Sequence, residues 1–304
     1  MTKDVGRIWM DLPHWARITA MKIRGARLKR PDPLLRQNVL ILMLSWSFAA
    51  WAEPLSLEGP MVQGGLVKGR AAPGTRVVFA GEPVRVSRDG DFLIGFHRDE
   101  PSRLTLELTY PDGRVQKKNL QIKKRDYDIQ RIDGLPARKV TPIKRDMKRI
   151  RAETRLIKQA RKRDDGRSDY QTGFTWPTVG RISGVYGSQR ILNGKPRRPH
   201  FGIDIAAPKG TPVLAPADGV ITLAHPDTYF NGGIIALDHG HGLSSWFSHL
   251  SRLSVKEGDK VKRGTKIGEV GSTGRSTGPH LDWRINLFER RLDPSLLVGP
   301  MPPA

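Results

Sequence analysis

The apolar residues of this chain change period twice. From Glu53 to about Lys124 they come in short strand-like runs: Arg76-Val77-Val78-Phe79, Val84-Arg85-Val86, Phe92-Leu93-Ile94-Gly95-Phe96, Leu104-Thr105-Leu106-Glu107-Leu108 and Leu120-Gln121-Ile122. Turn formers separate them at Ala72-Pro73-Gly74, Asp89-Gly90-Asp91 and Pro111-Asp112-Gly113. Closely spaced strands without a helical stretch predict a small β-sandwich over residues 53–124. Residues 125–170 are basic, and within them Ile143, Met147, Ile150, Thr154 and Ile157 step by four and three. That spacing predicts a helix over about 142–163, with Thr141 as N-cap and Pro142 at the first helical position. Its apolar stripe is expected to cover a neighbouring domain. Gly166 and Ser168 mark a break, and residues 171–304 return to Gly-punctuated, strand-like runs that suit a compact antiparallel β domain. The expected fold is mainly β: a small N-terminal β-sandwich, a basic helical linker and a C-terminal antiparallel β domain.

The first residues read differently. Arg36 precedes the apolar run Val39-Leu40-Ile41-Leu42-Met43-Leu44, which continues to Ala50, and Ala50-Trp51-Ala52 is a small-x-small cleavage site. The run falls short of the roughly 20 apolar residues of a transmembrane helix. Residues 1–52 are therefore expected to be a signal peptide with a long basic leading region, or one starting at Met21. An uncleaved anchor is the rival. Export to the periplasm follows from either. At 304 residues there is room for two modest domains and a linker, and the absence of Cys removes disulfides and thiolate metal sites. A net charge of +22 calls for an anionic partner. No nucleic-acid-binding motif is present, and an exported chain does not meet nucleic acid. An anionic wall polymer or a membrane surface is the expected partner, while much of the linker's charge serves to solvate its helix.

Candidate chemistry is concentrated in the C-terminal third. Pro199-His200-Phe201-Gly202-Ile203-Asp204 opens that stretch, Trp246-Phe247-Ser248-His249-Leu250 lies within it, and Pro279-His280-Leu281-Asp282-Trp283 closes it. Imidazoles and carboxylates so arranged can meet the needs of a catalytic zinc site: three protein ligands, an open position for water and a nearby base. Pro199, Gly202 and the β-branched Ile203 and Ile205 argue against a helix. Fully extended, His200 and Asp204 lie about 13 Å apart, so a bend is implied, and Gly202 is the residue that permits it. His280 and Asp282 share one strand face. The chain reads as a metallohydrolase.

At these residues the sequence resembles the lysostaphin/LytM-type zinc endopeptidases of bacterial cell walls. The likeness rests on Ile182-Ser183-Gly184-Val185-Tyr186-Gly187, on His200-Phe201-Gly202-Ile203-Asp204-Ile205-Ala206-Ala207-Pro208 and on Gly274-Arg275-Ser276-Thr277-Gly278-Pro279-His280, and spans about 174–298. It implies that His200 and Asp204 bind one zinc ion and that His249 and His280 are the catalytic imidazoles. The implied substrate is the stem or cross-bridge peptide of peptidoglycan. Tyr186, Arg190 and Asn193 are candidates for binding substrate or steadying an oxyanion.

The family's late motif is H-x-H, and its second His, the third ligand, is replaced here by Asp282. Asp is a legitimate zinc ligand, but a His/Asp/Asp set carries an extra negative charge and makes the ion a weaker Lewis acid. Three readings stand: Asp282 ligates in an active enzyme, His280 ligates instead, or the site is degenerate. In the last case the protein is a non-hydrolytic regulator that binds the wall and activates an amidase, an envelope protein partner. On the first reading, Asp282→His restores the usual set and is expected to preserve or raise activity.

Two other features point elsewhere. His239-Gly240-His241 is itself H-x-H, but Asp238, Gly240 and Gly242 make a tight turn its expected role. The stretches 207–213 and 255–261 also resemble biotinyl or lipoyl carrier hairpins. Lys266, however, sits in a strand-like run without the flanks of a carrier lysine.

Overall fold

Period-two alternation builds the N-terminal lobe. The structure, a computed structural model, describes residues 55–303, so the expected signal peptide over residues 1–52 lies outside the described residues. Strands β1 (Ser56–Glu58), β2 (Leu66–Arg70), β3 (Arg76–Phe79), β4 (Glu82–Val84), β5 (Asp91–Gly95), β6 (Arg103–Thr109) and β7 (Val115–Gln121) follow in order. β1, β2 and β5 form one sheet, and β4, β3, β6 and β7 the other. Val67, Phe92 and Ile94 of the first meet Val77, Phe79, Leu106 and Leu108 of the second in one buried core, as in a sandwich. The edge strand β7 exposes Lys117 and Lys118, charges that discourage pairing with another chain.

The basic segment that follows is woven into the fold. After β8 (Ile129–Ile132) come two helices, α1 (Ala137–Val140) and α2 (Met147–Arg161), where the sequence pattern predicts one. Pro142 disfavours helical backbone at Thr141, so Thr141 closes α1 and does not cap α2. Asp146 stands at the N-cap of α2 without a side-chain capping bond. Arg138 and the Tyr229 hydroxyl donate to its carboxylate instead. Of the expected stripe, Ile157 reaches a core with its neighbour Ala160, packing on Leu223, Ile234, Ala236 and Trp246. Ile143 stays 47% exposed. Glu153 turns inward where Thr154 was expected, accepting the Tyr229 backbone N–H at 2.8 Å. Among the described residues no helix is long and apolar enough to cross a membrane.

The C-terminal lobe holds β9 (Arg181–Gly184), β10 (Gln189–Leu192), β11 (Lys195–Pro196), β12 (Ile203–Ala206), β13 (Pro212–Leu214), β14 (Gly219–Thr228) and β15 (Gly232–Asp238). It continues with β16 (Leu243–Leu250), β17 (Arg252–Leu253), β18 (Lys260–Val261), β19 (Lys266–Glu269), β20 (His280–Leu287) and β21 (Arg290–Leu292). The main sheet runs β18-β14-β15-β16-β20-β12-β9, with β21 paired to β20, and β13-β19-β17 form a second sheet. Pairing is antiparallel within both, whereas β8 joins β10 in parallel. Ile205, Ile235, Phe247, Leu281, Trp283 and Ile285 point to one core with Val213 and Ile267. Alternation therefore sends Asp204, Ser248, Asp282 and Arg284 to the opposite face, the one α2 packs against at Trp246. Leu66 and Leu93 of the first lobe join the same core, and Arg125–Asp293 and Arg290–Glu100 ion pairs fasten the lobes together.

Candidate metal centre

One row of residues crosses four neighbouring strands. Ser248 on β16, Asp282 on β20, Asp204 on β12 and Gly184 on β9 are successive Cα partners. Like charges directly opposite each other destabilise a sheet, so the facing Asp204 and Asp282 require positive charge nearby. His200 joins them from the segment before β12. One ligand atom from each of His200, Asp204 and Asp282 lies within 4.8 Å of the others, and all three residues are buried. Nε2 of His200 stands 3.1 Å from Oδ1 of Asp204. That approach is not aligned as a hydrogen bond, and among the described residues both His200 ring nitrogens and Asp204 Oδ1 lack a hydrogen-bond partner. Buried polar atoms are normally satisfied, and here the unsatisfied ones converge with the donor types of a zinc site. The residues fit a metal ion.

Two glycines make the space. A Cβ on Gly184 would stand 2.3 Å from Asp204 Oδ2. A Cβ on Gly202 would fall 2.5 Å from the Trp283 carbonyl and 3.0 Å from Asp282 Oδ1. Gly202 lies outside the positive-φ residues, so its requirement is close approach and not the special bend expected from spacing.

Arginines balance the carboxylates. Arg190 donates to Asp204 Oδ2, and Arg284 donates to both oxygens of Asp282, at 2.9 Å through Nε and 2.5 Å through Nη2. Burial alone would raise the Asp204 carboxyl, but the charges of His200 and Arg190 outweigh it and hold it well below the usual range. Burial opposes ionisation of Asp282 as well, and Arg284 overcomes it by charge and hydrogen bonding. The extra negative charge of the His/Asp/Asp set is thus matched by a guanidinium. Arg284 is not among the sequence-derived candidates, although its place two residues beyond Asp282 on one strand puts both on the same face.

His249 and His280 stand beside this group with ring centroids 4.7 Å apart. His280 Nε2 lies 3.9 Å from Asp204 Oδ1. Nδ1–H of His249 donates to the Thr273 carbonyl at 2.7 Å, and Nδ1–H of His280 to the Gly278 carbonyl at 2.9 Å, which leaves each Nε2 for chemistry. Burial, then the neighbouring His280, pushes His249 down to about 4, so its ring is neutral near pH 7. Its backbone is left-handed at φ +68°, an uncommon state for a residue with a side chain, and its N–H is tied to the Asn231 carbonyl. Ser276 Oγ reaches His280 Nδ1 at 3.2 Å.

The remaining candidates separate. Arg190 reaches the centre, as described. Tyr186 is 2% exposed, and its hydroxyl donates to the Arg291 carbonyl at 2.7 Å, a packing role away from the cleft. Asn193 occupies a left-handed turn and bonds both the N–H and the carbonyl of Leu135, fastening the approach to α1. His239 and His241 lie in the tight turn between β15 and β16, as expected.

A buried His/Asp/Asp group with two adjacent imidazoles, on a face of an antiparallel sheet, defines a metallopeptidase-type centre. The model of peptidase family M23 matches residues 198–294. The crystal structure of a putative peptidase M23 from Pseudomonas aeruginosa is 30% identical and superposes with a TM-score of 0.62 over 78% of this chain and 95% of that one. The chain belongs to peptidase family M23, the lysostaphin/LytM type its motifs resemble. The DD-carboxypeptidase/endopeptidase Mpg of Neisseria meningitidis is 45% identical over 122 residues, 40% of this chain and 28% of that protein. The peptidoglycan DD-endopeptidase ShyA of Vibrio cholerae is 41% identical over 106 residues, 34% of this chain and 24% of the relative. The chain thus spans about a quarter of the length of these curated relatives.

Proposed function

We propose that this protein is a zinc-dependent endopeptidase that hydrolyses stem or cross-bridge peptides of peptidoglycan, exported to the periplasm. The observation that carries the reading is the convergence of unsatisfied buried atoms of His200 and Asp204 on Asp282, its charge balanced by Arg284. His200, Asp204 and Asp282 would hold the ion, and bound zinc supplies Lewis acidity toward a peptide carbonyl and water. His249 and His280 each offer an unbonded Nε2 to take up and return protons, with the Nδ1 bonds fixing the tautomer. The likeness to a peptidoglycan DD-endopeptidase of Vibrio cholerae supports the substrate class, and the likeness to a Neisseria DD-carboxypeptidase/endopeptidase supports the reaction. The test is metal analysis of the purified protein together with chromatography of digested muropeptides. Zinc at one ion per chain with new peptide products, both lost on chelation, is the expected result.

One observation favours a second reading. Both Asp282 oxygens are already occupied by Arg284, as they would be in a closed, non-hydrolytic site that binds the wall and activates an amidase. A zinc-free protein that stimulates an amidase and digests nothing would establish it and remove the first.

A further inference from the structure

Beside the His200–Asp204–Asp282 group the cleft widens into a groove of about 630 Å³ between the sheet and α2. Among the described residues eight cationic side chains line it, and Glu289 is the sole carboxylate. Arg284 and Arg190 are committed to Asp282 and Asp204, while Arg161 and Arg291 share Glu289. Lys158, Arg197, Arg198 and Arg275 remain, and among the described residues none of them has a carboxylate partner. Two of these are held in place by the protein. Arg197 donates to the Val140 carbonyl at 3.0 Å, and the Arg275 guanidinium stacks 4.8 Å above the Phe230 ring. Crowded cations cost free energy unless an anion joins them, and a pre-positioned guanidinium loses little freedom when one does. Burial, then the neighbouring Arg284, Arg190 and Arg197 charges, already presses Arg275 below its ordinary value.

We infer that this groove is a subsite for the free carboxylates of the peptide substrate, with Arg197, Arg198 and Arg275 as the residues that select it. The inference rests on the peptidase reading. The occupant is a peptide because the groove and the catalytic cleft share Arg190, Leu192 and Arg275 in their walls, so what fills one extends toward the other. His200 lines the groove itself. Carboxylates are the anions a peptide carries, and a guanidinium fork matches their geometry. The consequence is a charge-selective enzyme: masking the carboxylates of a stem peptide as amides should weaken its capture.

The test is fluorescence anisotropy on the purified, metal-free protein, so that binding is read apart from turnover. Two labelled synthetic pentapeptides of one sequence serve as probes, with their carboxylates free or fully amidated. The free form is expected to bind roughly tenfold more tightly at low salt, and the preference to shrink as salt rises. Arg197→Gln/Arg198→Gln and Arg275→Gln are each expected to erase most of that preference, whereas Arg114→Gln on the first lobe leaves it intact. Circular dichroism confirms that the variants are folded. Equal binding of the two peptides, or a preference unchanged in folded variants, overturns the inference. So does tighter, Arg275-dependent binding of poly(glycerol phosphate), which would assign the groove to a phosphodiester polymer. Wall digestion is measured in parallel. Digestion without carboxylate preference sinks the subsite alone, while preference without digestion supports the subsite and counts against the peptidase.

Discussion

Two histidine–aspartate clusters sit on the same sheet and behave as opposites. At the β15–β16 turn His239 is fully buried, its Nδ1–H donating to the Asp218 carbonyl at 2.6 Å and its Nε2 accepting from Ser245 Oγ at 2.8 Å. Asp238 beside it is engaged by Arg167. At the β12–β20 pair His200 is equally buried, yet among the described residues neither ring nitrogen has a hydrogen-bond partner. Both clusters contain an H-x-x-x-D or H-x-H pattern, so residue type does not separate them. The separation lies in what the neighbours leave undone. His241 sharpens the point: among the described residues its nitrogens are also unpaired and its ring stacks edge-on against Tyr170, yet it belongs to no group of three ligand-type residues. A lone unsatisfied imidazole offers an ion one ligand; an imidazole and two carboxylates facing each other form a group that could hold one.

The largest expected effect follows directly. His200→Ala or Asp204→Ala should remove the bound metal and lower hydrolysis by roughly a thousandfold or more, because several kcal/mol of transition-state stabilisation depend on the ion. His239→Ala should keep the metal in whatever fraction remains folded. Metal content and product release, measured on both, check the contrast. A metal-replete His200→Ala protein would end the distinction between the clusters.

Asp282 comes next, and here the structure reverses an expectation. Substituting His at 282 restores the family's ligand set on paper, but it leaves Arg284 facing an imidazole with no carboxylate to neutralise it. Asp282→His alone is therefore expected to lower metal affinity by about tenfold to a hundredfold. Asp282→His with Arg284→Leu should recover most of it. Titration with a competing chelator measures each step, and equal affinity in the single and double variants would rule out Arg284 as the cause.

The satisfied cluster carries a pH signature of middling size. Burial pushes His239 down to about 4, against about 6.5 in an unfolded chain. The unfolded state then binds more protons between those values, so this contribution is present above about pH 6.5 and is lost as pH falls through 4. The loss amounts to about 3 kcal/mol, using 1.36 kcal/mol per unit. His249 titrates in the same window, so the quantity to measure is the difference between wild type and His239→Gln in denaturant unfolding at pH 7 and pH 4. A constant difference across that range would show the ring is not held neutral.

His241→Asn should matter least. Position 241 adopts φ +51°, which Asn tolerates well, so the stability change should stay within about 1 kcal/mol and metal content should not move. Thermal melting and metal analysis suffice to check it.

Much of this was legible in order along the chain. Alternation in Leu104–Leu108 foretold the sandwich face, the four-and-three spacing located a helix, and turn residues around Gly240 identified the hairpin. These are local properties, decided within a few residues by backbone periodicity and steric permission. The same locality explains the failures. Thr141 looked like a cap until Pro142 and the Arg138–Asp146 pair divided the segment into two helices. Tyr186 and Asn193 looked like cleft residues, but their partners Arg291 and Leu135 lie about a hundred and about sixty positions away.

The sequence by itself determined which residues can ligate a metal, and that His200, Asp204, His249, His280 and Asp282 fall in one β-rich lobe. Only the tertiary structure decided that Asp204 and Asp282 stand opposite each other on neighbouring strands, that Arg190 and Arg284 balance them, and that arginines without a carboxylate partner among the described residues line the adjoining groove. Electrostatic interactions depend on distance in space and on how much water remains between the charges. Sheet register and burial set both quantities, and neither is written in the spacing of residues along the chain.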